Sequence, residues 1–208
     1  MAEIKQVGVL GAGLMGHGIA QVAAQSGYEV VLREVDEPTL AKGIGKIEKQ
    51  LERAVAKEKL TAEQSAEIRG RIKGTVDYAD LADCDLVVEA ITENLELKLD
   101  MWAVVDEIVK PEAIFATNTS SLAVIDQAAS TSRPERFVGL HFFNPAQVMK
   151  LVEVIRALTT SPETFDAALE WATSLRKLTV QTRDNAGFIV NRLLVPYMLD
   201  AIRAYEEG

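Results

Sequence analysis

The residues best suited to chemistry are His141, one of two histidines in the chain, and Glu153, which follows twelve positions later. The segments Arg136–Leu140 and Leu151–Ile155 are both predicted strands, and Asn144-Pro145 between them indicates a turn. If the strands pair antiparallel, His141 and Glu153 lie opposite each other. A glutamate in an apolar strand is costly to bury unless it has a partner, and an imidazole would provide one.

Such a pair is suited to removing a proton from an alcohol while hydride leaves for a nicotinamide ring. Imidazole suits the role because its ordinary pKa is close to the working pH. A carboxylate fixes the tautomer and stabilises the imidazolium that forms. The alternative is a structural histidine that closes a strand, with Glu153 at a sheet edge. A dinucleotide site in the same sheet favours the catalytic interpretation, so we predict His141 as base and Glu153 as its partner.

The start of the chain has the pattern of a dinucleotide site. Val7–Leu10 predicts a strand, and a helix with an apolar face follows the turn Gly11-Ala12-Gly13-Leu14-Met15-Gly16. A second predicted strand ends at Glu34, about 20 residues after the turn, where an acid accepts hydrogen bonds from ribose hydroxyls. This acid favours NAD over NADP, whereas the adjacent Arg33 could accept a 2′-phosphate.

Each glycine of the turn has a separate expected role. Gly11 permits the tight turn, Gly13 lets the backbone approach a pyrophosphate, and Gly16 allows close packing of helix and strand. The helix N-terminus then offers its N–H groups to the phosphates.

The rest of the first 183 residues continues the alternation of strands and helices. Strands are predicted at Asp85–Ala90 and Ala113–Ala116, with a helix over Leu95–Val109 between them. The expected fold is therefore α/β, a Rossmann-type doubly wound and mostly parallel sheet. Glu93 and the Asn118–Ser121 cluster fall at carboxyl ends of strands, where such sheets bind ligands.

Helix capping explains part of the same cluster equally well. Ser120 or Ser121 could cap a helix that begins near Leu122. Cys84, before a buried strand, is expected to be inert packing.

A helical hairpin is predicted at about residues 37–72, since apolar residues recur at helical spacing and Thr61–Gln64 has the form of a capping box. Lysine and arginine outnumber acidic residues along most of it, although the whole chain has a net charge of −9. A run of charged residues in a helix usually forms only a face that is exposed to solvent. The functional alternative is an arm that attracts a polyanionic substrate such as coenzyme A.

Residues 184–208 are predicted to form the first helix of a second, all-α domain. From Gly187 the pattern is one long helix with a kink near Pro196, apolar over much of its circumference. Such a helix needs a surface to bury it. We therefore expect a homo-oligomer formed through this helix.

Composition excludes several classes of partner. The net charge argues against nonspecific binding to nucleic acid or anionic membranes, and no apolar run is long enough to cross a bilayer. A single cysteine and a start without the apolar core of a signal peptide suggest a cytoplasmic protein.

Five segments together resemble the L-3-hydroxyacyl-CoA dehydrogenase family, in particular its 3-hydroxybutyryl-CoA dehydrogenases: GAGLMGHGIAQ, VVEAITENLELK, TNTSSL, HFFNPAQVMKLVEVI and RDNAGFIVNRLL. The resemblance implies reversible, NAD-dependent oxidation of a 3-hydroxyacyl-CoA to the 3-oxoacyl-CoA. It also implies that the family's helical C-terminal domain is largely missing here.

The resemblance assigns further roles. It implies that Ser120 and Asn191 bind the substrate oxygen near His141 and that Asn144 holds the substrate's carbonyl region. It implies that Glu93 and Lys98 contact the nicotinamide side of the cofactor, with Asn118 in the same site. Lys57 is the best match for a coenzyme A contact. One departure is Glu34, where the family usually has aspartate.

Two other readings remain. Dehydrogenases of the 3-hydroxyisobutyrate or 6-phosphogluconate type use a central lysine, and the His141–Glu153 pair argues against them. A binding or structural protein could have kept the nucleotide fold without turnover. Activity with acetoacetyl-CoA and NADH separates these readings.

Overall fold

The computed structural model describes residues 3–208. One eight-stranded sheet runs in the order β3-β2-β1-β4-β5-β6-β7-β8. Its strands are β1 Gln6–Leu10, β2 Glu29–Arg33, β3 Ile72–Thr75, β4 Leu86–Glu89, β5 Ile114–Thr117, β6 Phe137–Phe142, β7 Leu151–Arg156 and β8 Leu178–Arg183. All neighbours pair parallel except β6 and β7, which pair antiparallel. This topology confirms the doubly wound, mostly parallel sheet.

Residues 3–208 also contain seven α-helices: α1 Gly16–Gln25, α2 Glu37–Ala56, α3 Ala62–Gly70, α4 Leu95–Ile108, α5 Val124–Ala128, α6 Pro162–Ser174 and α7 Val190–Glu207. Alternate strand residues serve two cores on opposite faces of the sheet. Leu86 and Val88 of β4 join one core, whereas Val87 joins the core beneath α4. Such alternation is expected for a parallel sheet covered on both sides.

Helices α2 and α3 are the predicted hairpin. Thr61 accepts a hydrogen bond from the backbone N–H of Gln64, and the Gln64 side chain accepts one from the N–H of Thr61. This is the expected capping box, and it fixes the start of α3.

Two local features differ from the sequence analysis, namely the cap of α5 and an additional strand. Helix α5 starts at Val124 behind Ala123, whose side chain makes no cap, so neither Ser120 nor Ser121 caps it. Thr119 fills the turn instead, because its Oγ1 accepts the N–H groups of Ser121 and Leu122. Strand β3 was not predicted, because its four residues are too few to show an apolar pattern.

The last helix, α7, contains Pro196, and no residue in Val190–Glu207 is buried. Large apolar side chains are exposed along it: Leu193, Leu194, Val195, Tyr197, Met198, Leu199, Ile202 and Tyr205. Among residues 3–208, no helix has both the length and the apolar character needed to span a bilayer.

Candidate active site

The glycine turn between β1 and α1 has the geometry of a phosphate cradle. Gly11 has φ of +94°, and a Cβ on Gly16 would lie 1.7 Å from the carbonyl oxygen of Gly11. A Cβ on Gly13 would meet nothing within 4 Å, so the backbone there faces open space. A larger residue would fill this space or break the turn. The cradle therefore fits the pyrophosphate of a dinucleotide at the N-terminus of α1.

Glu34, just after β2, is fixed against this turn. Its Oε2 accepts the N–H of Ala12 at 2.7 Å, and its Oε1 accepts the N–H of Val35 at 2.7 Å. Each oxygen has a second lone pair that a ribose hydroxyl can use. Arg33 lies beside Glu34 in the same cleft lining, with its guanidinium 3.6 Å from the centre of the Tyr78 ring.

A cleft of about 1010 Å³ leads from the glycine turn to His141. Most of the predicted site residues line it: Gly11, Gly13, Leu14, Met15, Glu34, Glu93, Lys98, Asn118, Ser120, His141, Asn144 and Asn191. Three lie outside the lining. Gly16 packs under the turn, Glu153 is fully buried behind His141, and Lys57 is exposed at the end of α2.

His141 and Glu153 are directly opposed in the antiparallel pairing of β6 and β7. The Nδ1 atom of His141 lies 2.6 Å from Oε2 of Glu153. The strand β6 continues to Phe142, so His141 belongs to the strand instead of following it. Because the carboxylate can only accept at Nδ1, the proton resides on that nitrogen and Nε2 is left with its lone pair.

The other oxygen of Glu153 meets the start of α7. Oε1 accepts the backbone N–H groups of Ile189 at 3.0 Å and Val190 at 2.9 Å. The first N–H groups of a helix have no intrahelical partner and carry the positive end of its dipole. Glu153 thus satisfies two of them while it orients His141.

Two phenylalanines enclose the imidazole. The ring of Phe143 is centred 4.5 Å from that of His141, and the ring of Phe188 5.5 Å from it. Phe188 is buried and has φ of +49°, which is uncommon for a bulky residue. No sequence pattern assigned a role to Phe188, since backbone conformation at one position leaves little trace in residue type.

Four of the predicted polar residues, Ser120, Asn118, Asn144 and Asn191, line the same cleft as His141. The side-chain amide of Asn191 donates to the carbonyl of Ser120 at 3.2 Å. Asn118 accepts the N–H of Phe142 at 2.9 Å and so braces the end of β6. Asn144 is exposed on the loop after β6 and lines the same cleft.

At the other side of Ser120, Glu93 collects several donors. Its Oε1 accepts from the Thr119 hydroxyl at 2.5 Å and from the N–H of Ser120 at 3.0 Å, and its Oε2 pairs with Lys98 at 3.0 Å. Partial burial raises the pKa of Glu93, but the hydrogen bonds from Thr119 and Lys98 outweigh burial and lower that pKa to about 2. The carboxyl group is therefore ionised at neutral pH.

Sequence reasoning missed Glu89, the last residue of β4. It is fully buried, and its two oxygens lie 2.8 and 2.9 Å from Nζ of Lys98. The signal was present, since a glutamate ending the apolar run Leu86–Val88 needs a buried partner, as Glu153 does.

Comparisons with known proteins identify the family of this chain. Residues 6–185 match the family model described as 3-hydroxyacyl-CoA dehydrogenase, NAD binding domain. A 3-hydroxybutyryl-CoA dehydrogenase of Bradyrhizobium diazoefficiens is 44% identical over 207 residues, which cover 100% of this chain and 71% of that protein. The human mitochondrial hydroxyacyl-coenzyme A dehydrogenase is 47% identical over 212 residues, covering 99% of this chain and 67% of that protein.

Among solved structures, (S)-3-hydroxybutyryl-CoA dehydrogenase from Ralstonia eutropha superposes with a TM-score of 0.97 at 43% identity. The match covers 99% of this chain and 73% of that one. The matched family domain is one that binds NAD. This chain belongs to the 3-hydroxyacyl-CoA dehydrogenase family.

Proposed function

We propose that this chain catalyses the reversible, NAD-dependent oxidation of an L-3-hydroxyacyl-CoA to the 3-oxoacyl-CoA, with His141 and Glu153 as its acid–base pair. The observation that carries the proposal is the 2.6 Å contact between these side chains beside a cleft that also contains the glycine turn. Family membership and the names of the relatives support a short substrate, 3-hydroxybutyryl-CoA.

The geometry of the cleft supports a role for each residue. The glycine turn and Glu34 would hold NAD, which would supply the acceptor for the hydride of carbon 3 of the substrate. His141 takes the hydroxyl proton at Nε2, because Glu153 holds the other ring nitrogen. Ser120 and Asn191 are proposed to bind the reacting oxygen, and Asn144 the carbonyl region of the acyl chain. Their common position on the cleft wall supports these roles.

The cofactor and coenzyme contacts are also proposals. The pyrophosphate is held by the glycine turn, which consists of Gly11, Gly13, Leu14, Met15 and Gly16. Glu34 accepts hydrogen bonds from the adenosine ribose. Glu93, Lys98 and Asn118 serve the nicotinamide end. Lys57 attracts the phosphates of coenzyme A from the end of α2, where it is exposed.

The decisive experiment is oxidation of NADH by acetoacetyl-CoA, followed by absorbance, for the wild type and His141→Ala. General-base catalysis contributes about 10² to 10⁴-fold, so kcat should fall by that factor in the variant. Quenching of NADH fluorescence should show unchanged cofactor affinity. A variant with a kcat near that of the wild type would exclude His141 as the base.

A second candidate function is binding of NAD or of a CoA ester without full turnover. The observation that favours it is the exposed apolar face of α7, because Asn191 stands on a helix without buried residues. The same assay separates the two, since a pure binding protein would bind NADH and leave acetoacetyl-CoA unchanged.

We also propose that residues 1–183 act as the NAD-binding domain and that residues 184–208 begin a helical unit through which the protein forms homo-oligomers. The exposed side chains of α7 support this, since apolar patches of this kind usually mark interfaces. Sedimentation should give a mass above one chain, and Leu193→Glu and Tyr197→Glu together should return it to the monomer.

The cellular setting is the last part of the proposal, a cytoplasmic role in fatty-acid or butanoate metabolism. Burial raises the pKa of the Cys84 thiol to about 12, so this residue stays reduced and unreactive in such a compartment. Fractionation of cells that express the tagged protein checks the location.

A further inference from the structure

Glu89, Lys98 and Glu93 form a chain of charges that reaches from the sheet core to the cleft. Lys98 and Glu89 have relative exposures of 1% and 0%. Glu89 accepts from Nζ of Lys98, from the Thr117 hydroxyl at 2.6 Å and from the N–H of Ile91 at 2.8 Å. Every partner of Glu89 is a donor, as an ionised carboxylate requires. Buried charges are retained only with such complete pairing.

The chain of charges is not neutral. Lys98 contributes one positive charge, whereas Glu89 and Glu93 contribute two negative charges. Glu93 is the member that meets the cleft, since 37% of its side chain is exposed. Its strongly lowered pKa keeps it ionised at neutral pH. The three-residue cluster therefore carries a net charge of −1, next to the other charged side chains of the cleft lining, which are Arg33, Glu34 and Asp100.

The position of this charge along the cleft decides what it acts on. The pyrophosphate cradle and Glu34 occupy one end. Glu93 accepts the N–H of Ser120, and the carbonyl of Ser120 accepts from Asn191, close to His141. Hydride passes between the nicotinamide ring and the carbon whose oxygen His141 serves. The nicotinamide end of the cofactor therefore belongs at the Glu93 end of the cleft.

We infer that the Glu89–Lys98–Glu93 cluster raises the affinity of this cleft for oxidised NAD relative to its affinity for NADH. The inference rests on the proposed function for the position of the nicotinamide ring. That ring carries a positive charge when oxidised and none when reduced, whereas the remainder of the two cofactors is the same. A fixed negative charge in a partly dry cleft attracts only the charged ring. At a separation of several ångströms, one unit charge alters the ratio of the two affinities by about ten-fold.

Two variants test the inference by changing the charge of the cluster: the first replaces only the fully buried Glu89, and the second also replaces Lys98 of the cleft lining. Glu89→Gln leaves Lys98 paired with Glu93 and makes the cluster neutral. The double variant Glu89→Gln, Lys98→Met leaves Glu93 alone and restores the excess of one negative charge. Dissociation constants for NAD⁺, NADH and ADP-ribose are measured on the full chain by calorimetry. ADP-ribose has no nicotinamide ring and reports the integrity of the rest of the site.

The expected result is a fall of about ten-fold in the preference for NAD⁺ over NADH in Glu89→Gln, with unchanged affinity for ADP-ribose. The double variant should return the preference towards that of the wild type. Equal weakening of all three ligands, or an unchanged ratio, would overturn the inference, because a structural role alone moves both cofactors together. If Glu89→Gln does not fold, Glu93→Gln is used instead, since it also removes one negative charge from the cluster. The ratio of the dissociation constants for NAD⁺ and NADH is then measured for that variant.

These outcomes are separate from those of the proposed function. An unchanged ratio together with normal reduction of acetoacetyl-CoA would reject the charge effect and keep the dehydrogenase. A changed ratio without turnover would reject the dehydrogenase and keep the charge effect.

Discussion

The replacement Glu153→Gln separates the chemical role of this residue from its structural role. A glutamine fills the same volume, but its side chain has one acceptor and one donor group. The N–H groups of Ile189 and Val190 both require an acceptor at the position of Oε1. The glutamine carbonyl will therefore face these two donors, and the NH₂ group will face Nδ1 of His141.

This orientation reverses the tautomer of the histidine. An NH₂ group donates to Nδ1, so the ring proton moves to Nε2, where the substrate proton should be accepted. The comparable change in Ser-His-Asp enzymes lowers kcat by about 10⁴-fold, and we expect a loss of about 10³ to 10⁴-fold here. Folding stability should change by less than about 1 kcal/mol, because all three hydrogen bonds keep a partner.

Glu153→Ala is the matched comparison. It leaves two partly buried backbone N–H groups at the start of α7 without their acceptor and removes the partner of His141. Breaking a buried polar pair of this kind costs about 3–5 kcal/mol. Activity with acetoacetyl-CoA and NADH, and unfolding in urea, are measured for both variants. If Glu153→Gln keeps more than about a tenth of the wild-type kcat, the tautomer argument is wrong. If Glu153→Ala is as stable as Glu153→Gln, the account of α7 is wrong.

Three other predictions use separate parts of the molecule. Gly16→Ala should abolish NADH binding, measured by fluorescence, because its Cβ would lie 1.7 Å from the Gly11 carbonyl oxygen; the control Gly45→Ala meets nothing within 4 Å and should bind normally. Thr61→Ala should lower the free energy of unfolding in urea by about 1 kcal/mol with unchanged kcat, and an unchanged stability would contradict the importance of the capping box. Folding lowers the pKa of Glu93 from 4.5 to about 2, so its contribution to stability is present above pH 4.5 and disappears as the pH falls towards 2. The melting temperature of Glu93→Gln should therefore decline less than that of the wild type across this interval, and parallel decline would exclude the effect.

The parts of the site that follow from strand periodicity could be predicted from the sequence. The turn at Asn144-Pro145 and the alternation of the flanking strands were enough to set His141 against Glu153, and the register agrees. The spacing from the glycine turn to Glu34 indicated their proximity in the same way, and Glu34 now bonds to Ala12. In both cases the regular geometry of strands and turns allows the distance between two residues to be predicted from their separation in the sequence.

Contacts made by backbone groups could not be predicted. The second partners of Glu153 are the amides of Ile189 and Val190, and any residue type except proline supplies the same N–H. The capping role considered for Ser120 or Ser121 is absent because α5 begins later, at Val124, and because the Ser121 hydroxyl donates to Glu93, which is far away in sequence. Long-range competition for a donor leaves no local pattern.

The double use of Glu153 couples the first turn of α7 to the proposed base. Opening of that turn would free Oε1 from both amides and separate Phe188 from the imidazole, so Oε2 of Glu153 would be left to position His141 with less support. Molecules in which this turn is unwound would then be inactive. The turnover rate of a sample would then be proportional to the fraction of molecules in which the first turn of α7 is formed.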